Sequence, residues 1–415
     1  MQQAGKYIEK AALWLGVAAL VVSPTQWAIR LPGDIHVAPA DPLVWLALGC
    51  LGLSVLLSRR WELLRPPPLL LVGFVILALI SGAGATSKGA ALKEFIQYAE
   101  YFGAGFVVFR CLPELGLSVR RTVDFFLVAA SAVIVIAAIQ YFMPAESIAD
   151  FHVRGTFGNH NVYGGFLALV LPLFYGLAVT EQNWARRAWY GIAVLAGLIG
   201  VLAGGTWVAL LAGFGAISAV RGPRLFLGFA ATAMILMVWV FPHLPRNNPD
   251  AWFESIAFYD TAGEPTERYP EWQAAAAMAI KNPWGGVGAG NYQNHINEYY
   301  QVDRIILNRP EASEPDSQNL YLVLAASLGF PALLFFAGAL AWFTQRSGKL
   351  RNEKDEECAS SIPGLGIGLL GAFSAFAVNG IWAPLLVRGI GLPLVFFMVL
   401  TVLPRKATVT HEHSG

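Results

Sequence analysis

The sequence predicts an all-α polytopic membrane protein with about twelve transmembrane helices and one large extracytoplasmic loop that contains an amphipathic helix. Three observations lead there. The 415 residues have a mean hydropathy of +0.54, with 56% hydrophobic and 13% charged residues, whereas soluble domains carry roughly 25% charged residues. About twelve apolar runs approach the roughly 17 to 25 residues that a helix needs to cross a bilayer. Lys and Arg, which stay cytoplasmic in short loops, fall in every second connection.

The runs lie near 11–29, 42–58, 67–83, 92–110, 123–143, 161–180, 188–204, 206–221, 224–242, 319–344, 361–380 and 386–404. The cytoplasmic marks are Lys6 and Lys10; Arg59, Arg60 and Arg65; Arg110, Arg120 and Arg121; Arg186 and Arg187; Arg221 and Arg224; Arg346, Lys349, Arg351 and Lys354; and Arg405 and Lys406. Both termini are then cytoplasmic, and the loops near 30–41, 84–91, 144–160, 204–206, 243–318 and 381–385 face outward. Three parts follow: an N-terminal transmembrane bundle over 1–242, the extracytoplasmic loop over 243–318, and C-terminal helices with a cytoplasmic tail over 319–415.

The first run has Lys6 and Lys10 before it, but Ser23-Pro24-Thr25-Gln26-Trp27 is a poor cleavage site, so an uncleaved signal anchor is expected. Cys50 falls within a span, and Cys111 and Cys358 fall on the cytoplasmic side, where thiols stay reduced. Neither a disulfide framework nor a metal site is expected. A net charge of +1 says little about partners, and no nucleic-acid partner is expected. The charge run 347–357 reads as a solvated linker.

The polar segment up to Gln318 is where chemistry is expected. Its five basic and eleven acidic residues leave a balance of −6, so an anionic ligand would have to be gripped by particular arginines rather than drawn by the overall field. Pro270-Glu271 suits a first helical turn, and Asn282-Pro283 supplies a stop. Between them Trp272, Ala275, Ala276, Ala279 and Ile280 recur at helical spacing, which predicts one apolar face, with Arg268 at its membrane edge. The glycine-rich stretch 284–292 has no strand before it, so close backbone folding explains it better than a nucleotide cradle. Asp316 and Ser317 are good N-cap types ahead of a helix from Leu320, and that helix start is an anion site by construction. Capping and a functional role both suit Asp316.

The other outward loop, 151–163, sets Arg154 among glycines and asparagines at a helix start. An arginine there either anchors the protein at the interface or faces a ligand. His160 and His295 can each be structural or catalytic, and histidines near an interface are more often structural.

Taken in order, these residues resemble the O-antigen ligase and polymerase superfamily. The resemblance is carried over about 150–330 by Arg154-Gly155-Thr156-Phe157 with Asn159 and Asn161, by Arg268 before Trp272, by Asn282-Pro283 with Gly286, Val287, Gly288 and Gly290, and by Ser317, Asn319, Tyr321 and Leu322 with Gly329 downstream. It implies a metal-independent, inverting glycosyltransferase in the bacterial cytoplasmic membrane that requires no cofactor. Such an enzyme moves a glycan from undecaprenyl diphosphate to an acceptor: lipid A core, another surface glycan, a growing repeat-unit polymer or a protein hydroxyl. It implies Arg154 and Arg268 as diphosphate ligands; beside it, Asp316, Gln318 and Asn319 are the candidate catalytic corner, and His160, His295, Glu314 and Asn161 are candidate auxiliary residues.

Arginine suits this chemistry because its planar fork meets phosphate oxygens in pairs. Charge grows on the leaving diphosphate in the transition state, where fixed donors help most. Two departures stand out. Gln318 occupies the place where the family carries histidine, and glutamine cannot accept a proton near neutral pH. Base work then falls to Asp316, Glu314 or His295, or is dispensed with. In addition, Gly204-Gly205-Thr206-Trp207 replaces a mid-chain Ser-Arg. A polysaccharide-precursor transporter and a non-catalytic carrier-binding protein are the alternatives from other classes. A transporter would need a polar path, and its spans offer Glu94, Gln97, Glu100 and Arg388.

Overall fold

Apolar runs bounded by glycine, proline and capping side chains become helices in the computed structural model, which describes residues 2–31, 35–143, 153–201, 204–240, 268–300, 317–350 and 362–403. The order is α1 (Gln2–Val22), an antiparallel pair β1 (Ile29–Leu31) and β2 (Ile35–Val37), α2 (Ala40–Ser58), α3 (Leu69–Gly84), α4 (Lys88–Tyr98), α5 (Phe106–Glu114), α6 (Val119–Phe142), α7 (His160–Ala178), α8 (Trp184–Ile199), α9 (Gly204–Arg221) and α10 (Pro223–Ile235). After these come α11 (Arg268–Lys281), a short turn Tyr292–His295, α12 (Leu320–Leu328), α13 (Phe330–Leu350), α14 (Leu365–Asn379) and α15 (Gly391–Leu400). A wide π-helical turn, Ala99–Gly105, joins α4 to α5. The all-α expectation therefore holds apart from one short strand pair.

Among the described residues, α2, α6 and α7 are long and apolar enough to cross a membrane. Shorter apolar helices occupy Leu69–Gly84, Gly205–Arg221, Pro223–Ile235, Leu365–Asn379 and Gly391–Leu400. Leu46 and Leu56 of α2, Val128 and Val135 of α6, and Leu195 of α8 are exposed, as side chains turned toward lipid would be. By contrast α7 is buried along most of its length and forms the centre of the bundle. Lipid is as apolar as leucine, so helices in a membrane associate through close packing of small residues rather than through the hydrophobic effect. The contacts of α7 follow that rule: a Cβ at Gly176 would sit 2.4 Å from Gly368 Cα, and one at Gly164 would sit 2.2 Å from Thr206 Oγ1.

Three expectations need correction. The run 319–344 is two helices, not one, because α12 ends at Gly329, whose φ of 85° and contact with Trp284 backbone only glycine accepts. The cap of α12 is Asn319, whose side chain accepts from Tyr321 and Leu322 N–H at 3.0 Å each. Asp316 and Glu314 lie outside the described residues. Finally, α11 buries Glu271, Ala274, Ala275, Met278 and Ala279 against α12, while Ile280 is 70% exposed. Its inward face is thus rotated by one residue from the predicted one. Alanines let α11 lie close to α12, and periodicity alone does not distinguish adjacent positions on so uniform a run.

The glycine-rich stretch is a strap, as close backbone folding requires. Val287 and Gly288 N–H donate to Ala326 and Ser327 carbonyls at 2.9 and 3.0 Å, and Ser81 Oγ donates to Gly285 and Ser327 carbonyls at 2.6 and 2.9 Å. Gly286, with φ 62°, lets this backbone touch that of Ser327. The strap thereby holds the C-terminal end of α12 against α3.

Candidate functional site

Two chain segments meet at one end of the bundle. The first is the loop 153–159, which descends from buried Val153, turns through Gly155 at φ 57°, and buries Phe157 against Tyr163 and Phe166. Asn159 then caps α7, accepting from Val162 N–H at 2.8 Å. Thr156 Oγ1 donates to the Pro24 carbonyl at 2.9 Å, and Gln26 Oε1 accepts from Gly158 N–H at 2.8 Å. Gln140, in the last turn of α6, accepts from Arg154 and Gly155 N–H at 3.1 and 2.8 Å and donates to the Gly155 carbonyl at 2.9 Å. A lone glutamine ending an otherwise apolar run was the available sequence signal for it.

Arg154 itself is exposed. Its guanidinium donates to the Gly158 carbonyl at 3.4 Å, and no carboxylate partners it among the described residues. A cation held by a carbonyl keeps its full charge for an anion.

The second segment is the corner 317–319. Trp272 Nε1 of α11 donates to the Ser317 carbonyl at 2.9 Å, Gln318 adopts a left-handed φ of 46°, and Leu320 N–H donates to the Gly380 carbonyl at 2.7 Å. A left-handed non-glycine residue is uncommon and marks a tightly specified backbone. Asn161, one residue into α7, donates from Nδ2 to Gln318 Oε1 at 3.2 Å. This contact joins the Arg154 loop to the start of α12. Because Gln318 presents its carbonyl oxygen to Asn161, its amide orients groups and accepts no proton.

The other expected residues divide. Arg268 opens α11, one turn before Trp272. His160 is the first residue of α7, between Asn159 and Asn161. His295 stands apart, with Nε2 against Thr86 Oγ1 at 3.1 Å and Nδ1 against Glu298 Oε1 at 3.2 Å, contacts that fix the corner between α3 and α4. Both of its ring nitrogens therefore have partners among the described residues.

The connection between α14 and α15 is a third wall that sequence reasoning passed over. It touches the corner through Gly380 and the Arg154 loop through Gly389, where a Cβ would lie 2.4 Å from the Phe157 ring. Arg388 within it pairs through Nε with Asp41 Oδ2 at 3.1 Å, beside buried Glu100. Gln97 Nε2 donates to the Leu386 carbonyl at 3.2 Å, and Glu94 accepts from Tyr98 OH beside Gly290. The groups that a polar path would have used instead tie elements together.

Residues 192–337 match the family model described as O-antigen ligase. No curated protein matches the chain. The matched stretch runs from α8 into α13 and includes α11, the glycine strap and the corner at Gln318, while Arg154 and Asn161 lie before it. Together with the apolar helices of a membrane protein, this match supports membership of the chain in the O-antigen ligase superfamily.

Proposed function

We propose that this protein is a ligase-like glycosyltransferase that moves a glycan from an undecaprenyl-diphosphate carrier to an acceptor, lipid A core or another surface glycan, on the outer face of the bacterial cytoplasmic membrane. The observation that carries the reading is the exposed Arg154 guanidinium, without a carboxylate partner among the described residues and linked through Asn161 and Gln318 to the N-terminus of α12.

In this reading the acceptor hydroxyl oxygen attacks the anomeric carbon as the bond from that carbon to the diphosphate oxygen breaks. The diphosphate leaves with the electron pair, and the configuration inverts. Arg154 and Arg268 stabilise the charge that grows on the leaving group, the work of preorganised donors. The hydroxyl proton passes to a carboxylate of the 314–316 segment, Asp316 or Glu314, while Gln318 holds the acceptor. No metal is called on, since the guanidinium groups supply the positive charge. The carrier's tail lies among the apolar helices, with about twelve spans and both termini cytoplasmic.

The test is transfer of a glycan from lipid-diphosphate donor in membranes carrying the wild type, Arg154→Ala or Arg268→Ala. Loss of transfer by about 100-fold or more, with protein levels unchanged, is expected for both. Wild-type rates in both variants would overturn the reading. The held amide of Gln318 favours one second reading, a carrier-binding relative without turnover, for which donor binding would persist with no transfer to any acceptor.

A further inference from the structure

The Arg154 loop is attached to the bundle in two ways that do different things. Val153 and Phe157 are buried, and Thr156 and Gly158 are bonded to Pro24 and Gln26, so the loop is docked by its flanks. Gln140 contacts three consecutive peptide units there: its Oε1 takes the Arg154 and Gly155 N–H groups and its Nε2 gives to the Gly155 carbonyl, while the Arg154 carbonyl accepts from Phe157 N–H at 2.9 Å. With the Gly155 N–H on Gln140 and the Arg154 carbonyl on Phe157, both polar groups of the 154–155 peptide are engaged, so its orientation is specified and not merely its position. Gly155 is left-handed, and a Cβ there would meet Tyr163 and Val133, both at 3.3 Å, so little room exists for another arrangement.

We propose that Gln140 is a positioning residue for the reaction: it aims the Arg154 guanidinium at the diphosphate by fixing the 154–155 peptide. The inference rests on the reading that Arg154 grips an anionic leaving group. A catalytic donor displaced by about 1 Å can cost on the order of 100-fold in rate, so loss of the clamp should act on transfer far more than on folding.

The experiment compares Gln140→Leu, Gln140→Glu, Arg154→Ala and Arg154→Lys in purified full-length protein, assayed with a synthetic lipid-diphosphate-linked glycan. Gln140→Leu should lower kcat/KM for the donor by about tenfold or more with an unchanged melting temperature. In the Arg154→Lys background it should lower it by much less, because its effect passes through the guanidinium. Gln140→Glu supplies a readout that a general packing role would not move. A protonated glutamic acid reproduces the donor and acceptor pattern of glutamine. Its carboxylate cannot donate to the Gly155 carbonyl and competes for the Arg154 guanidinium. The ratio of Gln140→Glu to wild-type activity should therefore fall as pH rises through the carboxyl range, and a flat ratio would overturn the inference even if Gln140→Leu failed to fold. Wild-type activity of Gln140→Leu beside an inactive Arg154→Ala would overturn the inference and leave the proposed function standing. An equal loss in both Arg154 backgrounds would also overturn it. Full activity of Arg154→Ala would remove both.

Discussion

Arginines of this bundle are held in two ways, by carboxylates and by backbone carbonyls, and both occur at both ends: opposite the candidate site, Arg187 meets the Glu181 carbonyl and Arg346 the Thr401 carbonyl. At the end opposite the candidate site, Arg120 sits on Glu181 at 2.8 Å, Arg186 on Asp124 at 3.1 Å, Arg60 on Glu9 at 3.2 Å and Arg110 on Glu114 at 3.4 Å. At the site end Arg388 is paired in the same manner with Asp41, whereas Arg154 touches a carbonyl. A paired arginine has its charge neutralised and works as a cross-link between helices. Arg154, fixed through its backbone and without a carboxylate partner among the described residues, is the one proposed for a ligand.

The strongest way to break this contrast is to remove one arginine of each kind. Arg154→Ala should abolish transfer while the melting temperature in detergent holds. Arg388→Ala should do the reverse first, destabilising the protein by about 1.5 to 3 kcal/mol, because the half-buried Asp41 carboxylate loses its cation and keeps the Ala38 N–H. Asp41→Asn together with Arg388→Gln should recover much of that loss. Equal thermal stability of both alanine variants would erase the distinction.

A smaller effect is expected where the two segments meet. Asn161→Ala should reduce transfer by about tenfold, the equivalent of a hydrogen bond worth about 1.4 kcal/mol in the transition state. Gln318→His, which adds a group able to take a proton, should raise transfer if acceptor activation limits the rate. No change in either variant, measured by single-turnover kinetics, would separate the corner from the chemistry. Trp272→Phe removes the indole N–H from the Ser317 carbonyl and should cost about 1 kcal/mol of stability, read by thermal unfolding.

The smallest effect belongs to the opposite end. Burial by itself would raise the Glu181 carboxyl, but the Asn183 N–H, Arg120 and the Gln182 N–H together hold it below its ordinary value of 4.5. A carboxyl lowered in the folded state stabilises above that value, and the contribution disappears as pH falls through the folded one. Glu181→Gln should therefore be slightly less stable than the wild type at pH 7, and the difference should shrink below about pH 4.5. A difference that grew on acidification would contradict the pairing.

Much of the molecule was legible before folding was considered. Apolar length pointed to helices, and the strap was readable because Gly286, Gly288 and Gly290 have no local use unless the backbone folds tightly. The site was legible only in outline. Gln140 was passed over and Arg388 was read only as part of a polar path, because nothing local to either residue says which distant backbone or carboxylate it will meet. His295 drew attention by residue type, yet its ring is occupied by Thr86 and Glu298.

The linear order of residues by itself determined that this chain forms apolar helices and that Arg154 stands at a helix start. Those properties follow from transfer energies and backbone dihedrals, which act locally. Only the tertiary structure decided that Asn319 and not Ser317 caps α12, which face of α11 turns inward, and that Asn161 meets Gln318 across 157 residues of sequence. Such pairings depend on how helices approach and rotate against one another. Small residues set that approach, and hydropathy carries no record of it.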